Sequence, residues 1–441
     1  MKRVAVVILA GLGLAALSSS AAHAQSAPTC SFDAGTATVT VTVDGQAATL
    51  SVAARAIQLN GTACGSATVD NTDAIAVNGG TRADVVTVSG SYKPGLTPEA
   101  DGSSEIEFTF ALGADRDTFK LNGTNKDDFL TFGQGGIDIG NDGDQDITTN
   151  TVEVVRVFGK NGNDTIDASA YVWGAVYLYG GNGDDTLIGS PLNDFLLGNA
   201  GADLLQGGDG IDRLWGGSEN DVVFGDAGDD TLTAEATVDG ADEYYGGDGI
   251  DTVTYEDRTN AINVTIGNGL TDDGESGELD IIDFDVENVT TGGGNDTLTG
   301  TVLNNVLTGG AGDDTISGGG GDDTLSGDDG IDTITGGVGN DILSGGAGAD
   351  DLNGGSGTDT VNGDEGDDLI HGSTGDDLLH GGGGNDKIYG NDGADIFWGE
   401  DGDDIFYTAD GIGESVNCGN GTDTVFTGGD GGGFAFCEEI H

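Results

Sequence analysis

A large apolar residue returns at every ninth position over much of this chain. The stretch from Gly300 to Tyr407 divides without gaps into twelve nonapeptides, and the stretch from Gly180 to Thr233 divides into six. Two more units cover residues 246–254 and 291–299. The shared pattern is GGxGxDxUx, where U is a large apolar residue. In the two blocks the eighth positions are Leu187, Leu196, Leu205, Leu214, Val223, Leu232, Leu307, Ile316, Leu325, Ile334, Leu343, Leu352, Val361, Ile370, Leu379, Ile388, Phe397 and Phe406.

This period predicts an all-β solenoid. The last three residues of a unit form a very short strand whose middle side chain, U, points inward. The first six residues turn the chain sharply, and glycine permits the positive φ angles that such turns need. One apolar side chain in nine residues cannot build a conventional core. Stacked turns align these side chains into two facing rows, which gives a thin, continuous core.

The sixth position of the unit is the candidate metal site. It is Asp in nearly every unit, with Asn305 as the exception. Turn preference alone explains a loose enrichment of Asp and Gly, but it does not explain Asp fixed two residues before U. The candidate metal ligands are Asp185, Asp194, Asp203, Asp212, Asp221, Asp230, Asp251, Asp296, Asp314, Asp323, Asp332, Asp341, Asp350, Asp359, Asp368, Asp377, Asp386, Asp395 and Asp404.

These units resemble the RTX, or haemolysin-type, calcium-binding nonapeptide repeats. The resemblance covers roughly half of the chain, and degenerate versions of the unit contain Asp128, Asp138, Asp164 and Asp423. It implies a right-handed parallel β-roll with two nonapeptides in each turn and several bound Ca²⁺ ions. Many members leave the cell through an uncleaved C-terminal signal. We expect this chain to depart from that pattern, because its sequence predicts an N-terminal signal and a C-terminal cap.

Charge balance also favours calcium. Units two apart stack, which places their Asp side chains about 4.8 Å apart. Without neutralisation each pair repels by about 0.9 kcal/mol in water and by more in a drier setting. Ca²⁺ accepts six to eight oxygen ligands in flexible geometry, including backbone carbonyls, whereas Mg²⁺ demands a tighter octahedron. We therefore expect folding to be coupled to calcium binding.

The net charge limits the partners of the chain. There are 78 acidic residues against 13 Lys plus Arg, and the formal net charge is -65. Such a chain repels nucleic acids and anionic membranes. The expected partners are calcium ions and a cell-surface or matrix polysaccharide or protein, while the oligomeric state is left open.

The N-terminus and the cysteines indicate secretion. Residues 1–24 have a basic start at Lys2 and Arg3, an apolar run and a small-x-small cleavage site before Gln25. This predicts a cleaved signal peptide, a secreted or extracellular mature protein and no integral membrane segment in it. The simplest disulfide pairing in an oxidising compartment is local, Cys30 with Cys64 and Cys418 with Cys437.

The remaining sequence predicts flanking elements around the two repeat blocks. Residues 25–112 are β-rich and form an N-terminal cap, with a hairpin turn at Asp44-Gly45. Residues 113–179 form degenerate solenoid turns, and residues 180–254 form the first calcium-binding block. Residues 255–290 are a β excursion, for which a plain surface loop is favoured over an extra calcium or partner site. Residues 291–407 form the second block, and residues 408–441 form a disulfide-closed cap.

No catalytic constellation stands out, so the prediction is a protein that is not an enzyme. His371 and His380 occupy the ninth positions of successive units and are expected on opposite sheets, and no HExxH or GxSxG motif is present. The favoured function is a calcium-loaded extracellular surface, matrix or adhesion component. One alternative is a carbohydrate-active or carbohydrate-binding solenoid that uses Trp215 or Trp398. A second alternative is a structural protein that self-assembles on calcium binding.

Overall fold

Short strands and tight turns make up the chain. The computed structural model describes residues 27–34, 38–43, 47–53, 56–68, 74–78, 85–89, 108–111, 118–123, 128–133, 136–139, 147–148, 152–238, 240–408, 414–427, 433–435, 437 and 439–440. No helix occurs among these residues. The predicted signal peptide lies outside the described residues. The chain divides into two compact units, residues 1–228 and residues 229–441.

Twenty strands lie in the described part of the first unit. They are β1 Thr29–Asp33, β2 Thr38–Thr42, β3 Ala47–Ala53, β4 Ala56–Leu59, β5 Thr62–Thr68, β6 Ala74–Asn78, β7 Val85–Ser89, β8 Phe108–Ala111, β9 Thr118–Asn122, β10 Phe129–Gly133, β11 Gly136–Ile139, β12 Ile147–Thr148, β13 Val154–Asn161, β14 Thr165–Asp167, β15 Ala175–Asn182, β16 Thr186–Ile188, β17 Phe195–Ala200, β18 Leu204–Asp209, β19 Arg213–Ser218 and β20 Val222–Ala227.

Two stacks of parallel strands form this unit. One stack runs β3, β7, β9, β13, β15, β17 and β19. The other contains the parallel runs β2, β6, β8 and β10, β14, β16, β18, β20. Strands β10, β11 and β12 are antiparallel to one another, and β12 pairs in parallel with β8. The parallel stacking therefore begins well before the first regular nonapeptide.

The turn predicted at Asp44-Gly45 lies outside the described residues, but the strands on either side of it do not pair with each other as a hairpin requires. Strand β2 pairs with β1 and β6, whereas β3 pairs with β4 and β7 in the other stack. The antiparallel pairs at the start of the unit are β1 with β2, β3 with β4, and β4 with β5.

The described residues of the second unit form twenty-four strands. They are β21 Thr231–Thr233, β22 Glu243–Asp248, β23 Thr252–Thr254, β24 Ile262–Thr265, β25 Gly274–Glu275, β26 Ile281–Ile282, β27 Asn288–Thr290, β28 Thr297–Thr299, β29 Val306–Ala311, β30 Thr315–Gly320, β31 Thr324–Asp329, β32 Thr333–Val338, β33 Ile342–Ala347, β34 Asp351–Ser356, β35 Thr360–Glu365, β36 Leu369–Thr374, β37 Leu378–Gly383, β38 Lys387–Asp392, β39 Ile396–Asp401, β40 Ile405–Thr408, β41 Ser415–Asn417, β42 Thr424–Thr427, β43 Gly433–Ala435 and β44 Glu439–Ile440.

Odd-numbered and even-numbered strands of the second unit stack separately. The odd series runs in parallel from β27 through β29 to β43, and the even series runs from β28 through β30 to β44. Partners in the regular part belong to every second nonapeptide, as in Leu325 opposite Leu343. Two nonapeptides therefore make one turn. The predicted β-solenoid is confirmed.

The predicted core is confirmed as well. Every eighth-position side chain of the two blocks is buried, with no more than 1% of its surface exposed. The residues on either side of it in each strand are not fully buried, which gives the alternation expected of a strand with one face on a core. Each turn thus contributes two apolar side chains to a narrow core.

The segment at 255–290 pairs with the solenoid through three of its four strands. Strand β24 lies parallel to β28, β26 lies parallel to β22, and β27 lies between β23 and β29. Strand β25 pairs with β24 in antiparallel orientation. The sequence-based boundaries of this and the other segments remain predictions.

Both predicted disulfides are present. Cys30 bonds to Cys64 beside the first antiparallel strands, and Cys418 bonds to Cys437 near the end of the odd series. All four cysteines are therefore paired. Within the described part of the chain, no helix has the length and apolarity to cross a bilayer.

Candidate metal centre

The sixth-position aspartates are buried beneath the turns. Each of the nineteen candidates has no more than 5% of its surface exposed, and most have 2% or less. Each follows a glycine-rich turn and precedes a strand, so the carboxylate is held under the backbone of that turn. Burial of an ionised carboxylate is costly unless the group is hydrogen-bonded or neutralised. The hydrogen-bond partners of the two carboxylate oxygens therefore decide what the stacked aspartates can bind.

One oxygen of each carboxylate joins successive turns. In most units of the two blocks, the Oδ1 atom accepts a hydrogen bond from the backbone N–H of the sixth-position aspartate two nonapeptides earlier. Asp323 N donates to Asp341 Oδ1 at 2.9 Å, and Asp341 N donates to Asp359 Oδ1 at 2.8 Å. The same bond recurs along both blocks at 2.7–2.9 Å. The stacked aspartates are therefore linked through the backbone rather than merely set side by side.

The other oxygen is buried without a hydrogen-bond partner in many units. This orphaned Oδ2 is a strong acceptor that has lost its water and gained no donor from the protein. A cation supplies what such an atom lacks. The aspartates with an orphaned Oδ2 are Asp185, Asp203, Asp251, Asp314, Asp323, Asp332, Asp341, Asp350, Asp359, Asp368, Asp377, Asp386 and Asp404.

Glycine at the first position of the unit makes room beside this oxygen. A Cβ atom added to Gly336 would lie 2.4 Å from Asp341 Oδ2 and 2.5 Å from the carbonyl oxygen of Gly354, in the unit two further on. The carboxylate oxygen and the carbonyl oxygen thus converge over the glycine. Only a residue without a side chain leaves that space open.

The donor set fits calcium better than a transition metal. Among the described residues, no three side chains of His, Cys, Asp or Glu converge as a metal-binding group. Carboxylate oxygens from stacked units would therefore be supplemented by glycine carbonyls, and hard oxygen donors of this kind suit Ca²⁺. The orphaned oxygens and the glycine carbonyls would hold the ion, which would supply the missing positive charge.

Two units depart from this arrangement. Both oxygens of Asp194 accept backbone N–H groups, Oδ1 from Val176 and Oδ2 from Ser190. In the unit from Gly300, Asn305 Oδ1 accepts from Thr301 N, and Asn305 Nδ2 donates to Glu287 O at 2.7 Å. Neither side chain leaves a buried oxygen orphaned. We therefore expect Asp194 to contribute least among the candidate ligands.

Burial raises the pKa of the sixth-position aspartates. Desolvation is the first cause throughout, and it raises the pKa of Asp332 to about 6 and that of Asp314 and Asp404 to about 7. Backbone hydrogen bonds oppose this rise, while neighbouring carboxylates add to it. Without a cation these groups would therefore hold protons near neutral pH.

A second ladder at the fifth position was not foreseen from the sequence. There the Oδ1 atom of Asp or Asn accepts the backbone N–H of the fifth-position residue two nonapeptides later. Asn340 N donates to Asp322 Oδ1 at 2.8 Å, and Thr358 N donates to Asn340 Oδ1 at 2.9 Å. These side chains are exposed, and their bonds run in the opposite direction to those of the sixth position. The recurrence of Asp and Asn at this position was the available signal.

The two histidines of the repeats lie in different strand series, as predicted. His371 is in β36 and stacks on Tyr389 at 4.7 Å, whereas His380 is in β37 and stacks on Trp398 at 6.0 Å. His380 Nδ1 also lies 3.1 Å from Glu400 Oε1. These ring contacts belong to the outer faces of the strands.

Comparison with known families finds the same repeats. The description of the matching family is RTX calcium-binding nonapeptide repeat (4 copies). The matched residues are 174–196, 197–232, 290–325, 326–361, 353–388, 362–397 and 380–413. No curated protein matches the chain. The family match covers the units of all the orphaned carboxylate oxygens named above except that of Asp251.

Proposed function

Two blocks of this chain belong to the RTX calcium-binding nonapeptide repeat family, and from that premise we propose that the protein is a secreted, non-enzymatic β-roll that folds on binding calcium. It would serve as an extracellular surface, matrix or adhesion component. The observation that carries the proposal is the row of buried, orphaned Oδ2 atoms beside first-position glycines. Each such oxygen is stabilised if a cation lies between turns.

Calcium binding and folding would be coupled because the core is thin. Each nonapeptide contributes one fully buried apolar side chain at its eighth position, while each turn adds carboxylates that repel one another. A domain is stable by only about 5–15 kcal/mol, so this repulsion is large enough to decide whether the blocks fold. Extracellular calcium modules work with Kd values on the order of 10⁻⁴ to 10⁻³ M, and we expect this range here.

The extracellular assignment is supported by the disulfides and the N-terminal sequence. Both disulfides form from cysteines close in sequence, and such bonds persist in oxidising compartments. The sequence of residues 1–24 is that of a cleavable signal. A non-enzymatic role accords with the use of the buried carboxylates as links and cation ligands.

The test is a calcium titration of the full mature chain. We expect β-sheet circular dichroism to appear with calcium, to be lost after exhaustive chelation and to return on addition. Elemental analysis after desalting counts the bound ions, and magnesium at equal concentration serves as the control. Unchanged β content after chelation, or equal folding in magnesium, would refute the proposal.

A further inference from the structure

The outer face of the first unit carries two columns of side chains, which we call the basic–aromatic face. They lie on β9, β13, β15, β17 and β19, where cross-strand partners stand opposite one another. The first column is Lys120, Arg156, Tyr177, Phe195 and Arg213, and the second column is Asn122, Phe158, Tyr179, Leu197 and Trp215. These side chains alternate with the buried residues of the same strands.

This face differs from the rest of the chain in charge. The sequence has 78 acidic residues and 13 basic ones, yet the ten positions of the two columns include three basic residues and no acidic one. Lys120, Arg156 and Arg213 form no ion pair with any carboxylate that the structure describes. Unpaired cations are unexpected in so acidic a chain, and they point to a negatively charged partner.

Aromatic rings run between these cations. Phe158 stacks on Tyr179 at 4.6 Å, and Phe195 lies 4.9 Å from Trp215. The guanidinium of Arg156 lies over the Tyr177 ring at 4.6 Å, and Arg156 Nε has no hydrogen-bond partner. The core of these turns is filled by the alternate residues, such as Leu178, Leu196 and Leu214. The rings of the face are therefore not part of the core, and a ligand can contact them.

We propose that the basic–aromatic face binds an extended acidic polysaccharide along the stacking direction of the strands. Five strands at about 4.8 Å each present a straight track of roughly 19 Å, and sugar units of an extended chain repeat at a similar spacing. The cations bind carboxylate or sulfate groups. The rings and Leu197 cover the apolar sides of the sugars.

The spacing of the cations favours this partner over two others. Lys120 and Arg156 are one strand apart, while Arg156 and Arg213 are three strands apart, which suits a polymer with separated charges. A nucleic acid carries a phosphate at every nucleotide, and three cations over five strands match too few of these charges.

The acidic positions of a second copy do not match either. In the second unit, Asp328, Asp364 and Glu400 recur at every second strand of the odd series. Lys120 and Arg213 are four strands apart, as are Asp328 and Glu400, but Arg156 then falls between two acidic strands and meets no carboxylate of this series. The polysaccharide is therefore the occupant that the spacing selects.

The proposal goes beyond the calcium role and depends on it only for the integrity of the sheet. The test is calorimetric titration of the calcium-loaded full chain with a short hyaluronan oligomer, whose carboxylates lie on alternate sugars, at two salt concentrations. We expect binding that weakens with salt and that falls at least about tenfold in the double variant Arg156→Gln/Arg213→Gln, because the variant loses two charge-assisted contacts to the acidic groups. Trp215→Leu should weaken binding without reducing its salt dependence. Lys387→Gln, which removes an exposed cation of the second unit, should bind like the wild type.

Several results would overturn the proposal. They are the absence of binding, equal affinity of wild type and double variant, equal binding of the fully methyl-esterified oligomer, and tighter binding of a single-stranded oligonucleotide. Light scattering that shows self-association of the wild type, lost in the double variant, would assign the face to a second copy instead. Circular dichroism of the same samples reports separately on calcium-dependent folding.

Discussion

The guanidinium of Arg258 donates to both carboxylate oxygens of Glu278, with 3.1 Å from Nη1 to Oε2 and 2.5 Å from Nη2 to Oε1. Both side chains are buried, and Arg258 Nε also donates to the carbonyl of Glu235. The pair lies in the segment at 255–290, where Tyr255 donates to Asp280 Oδ2 at 2.9 Å. In this segment the protein supplies its own donors to the buried carboxylates.

The buried carboxylates of this segment differ from those of the repeats in the donors that they receive from the protein. Both oxygens of Asp273 accept backbone N–H groups, from Thr265 at 2.7 Å and from Ile282 at 3.0 Å. Asp341 and its equivalents keep one oxygen without a protein donor. The chain thus contains some buried carboxylates with protein donors to both oxygens, and others with one oxygen that can bind a cation.

Removal of the guanidinium should destabilise the second unit. Arg258→Met leaves Glu278 buried without its counter-charge, and loss of one member of a buried pair costs about 3–5 kcal/mol. We expect a clearly lower unfolding midpoint in saturating calcium, measured by thermal or urea denaturation. Lys387→Met is the matched control, because that side chain is exposed and its loss should change little. The double variant Arg258→Met/Glu278→Met should recover much of the loss, and equal stability of all variants would contradict the assignment.

The two oxygens of a sixth-position aspartate can be separated by mutation. Asp341→Asn keeps an acceptor for Asp323 N–H but removes the charge, and Asn305 shows that Asn already occurs at this position of a unit. Asp341→Ala removes both. We expect both variants to bind less calcium, and we expect the Ala variant to lose about 1–3 kcal/mol more stability because a buried N–H is left unpaired.

The control for these variants is the exposed neighbouring ladder. Asp322→Asn retains the Oδ1 acceptor for Asn340 N–H and should leave the calcium count unchanged. Ion counting by elemental analysis and unfolding in saturating calcium measure the two effects separately. If Asp322→Asn lowers the ion count as much as Asp341→Asn does, the assignment of the cation to the sixth position is wrong.

The repeat register could be predicted because one apolar residue in each unit has no alternative to burial. Leu343 and Leu352 occupy the same position of successive nonapeptides and lie in opposite strand series, as a turn of two nonapeptides requires. The period also placed Asp341 under a turn, since it fixes the distance between the acid and the buried strand.

The irregular parts could not be predicted by period. Arg156 lies opposite Lys120 on one side and opposite Tyr177 on the other. Lys120 and Tyr177 lie at unequal distances from Arg156 along the sequence. No constant spacing therefore reveals this column of the basic–aromatic face. Arg258 was overlooked because a single basic residue in an acidic loop carries no pattern. Its burial depends on Glu278 and Glu275, which only the folded chain brings to it.

The turn glycines differ in how much space they have, and this difference is testable. Gly312 has φ +139°, and an added Cβ would lie 1.5 Å from the carbonyl oxygen of Gly294 in the stacked turn. Gly320 meets nothing closer than 3.7 Å. Gly312→Ala should therefore cost at least about 1–3 kcal/mol and reduce calcium-induced folding. Gly320→Ala should stay within about 0.5 kcal/mol of the wild type. Equal unfolding midpoints for the two variants would contradict the close stacking.

Protons should compete with calcium near neutral pH. Desolvation raises the pKa of Asp314 and Asp404 to about 7 in the metal-free fold, well above the 3.8 of an exposed Asp. Between about pH 4 and pH 7 the metal-free fold therefore binds more protons than the unfolded chain, so its stability increases as the pH falls through this window and is lost above it. Calcium needs the ionised carboxylate. In this window protons stabilise the metal-free fold but not the unfolded chain, so the calcium concentration at half folding should fall as the pH is lowered from about 8 to about 5.5, while β content without calcium should increase. Circular dichroism across the calcium titration at each pH measures both quantities. A calcium midpoint and a calcium-free β content that both stay constant until the pH nears about 4, where exposed carboxylates titrate, would show that the sixth-position aspartates are not desolvated.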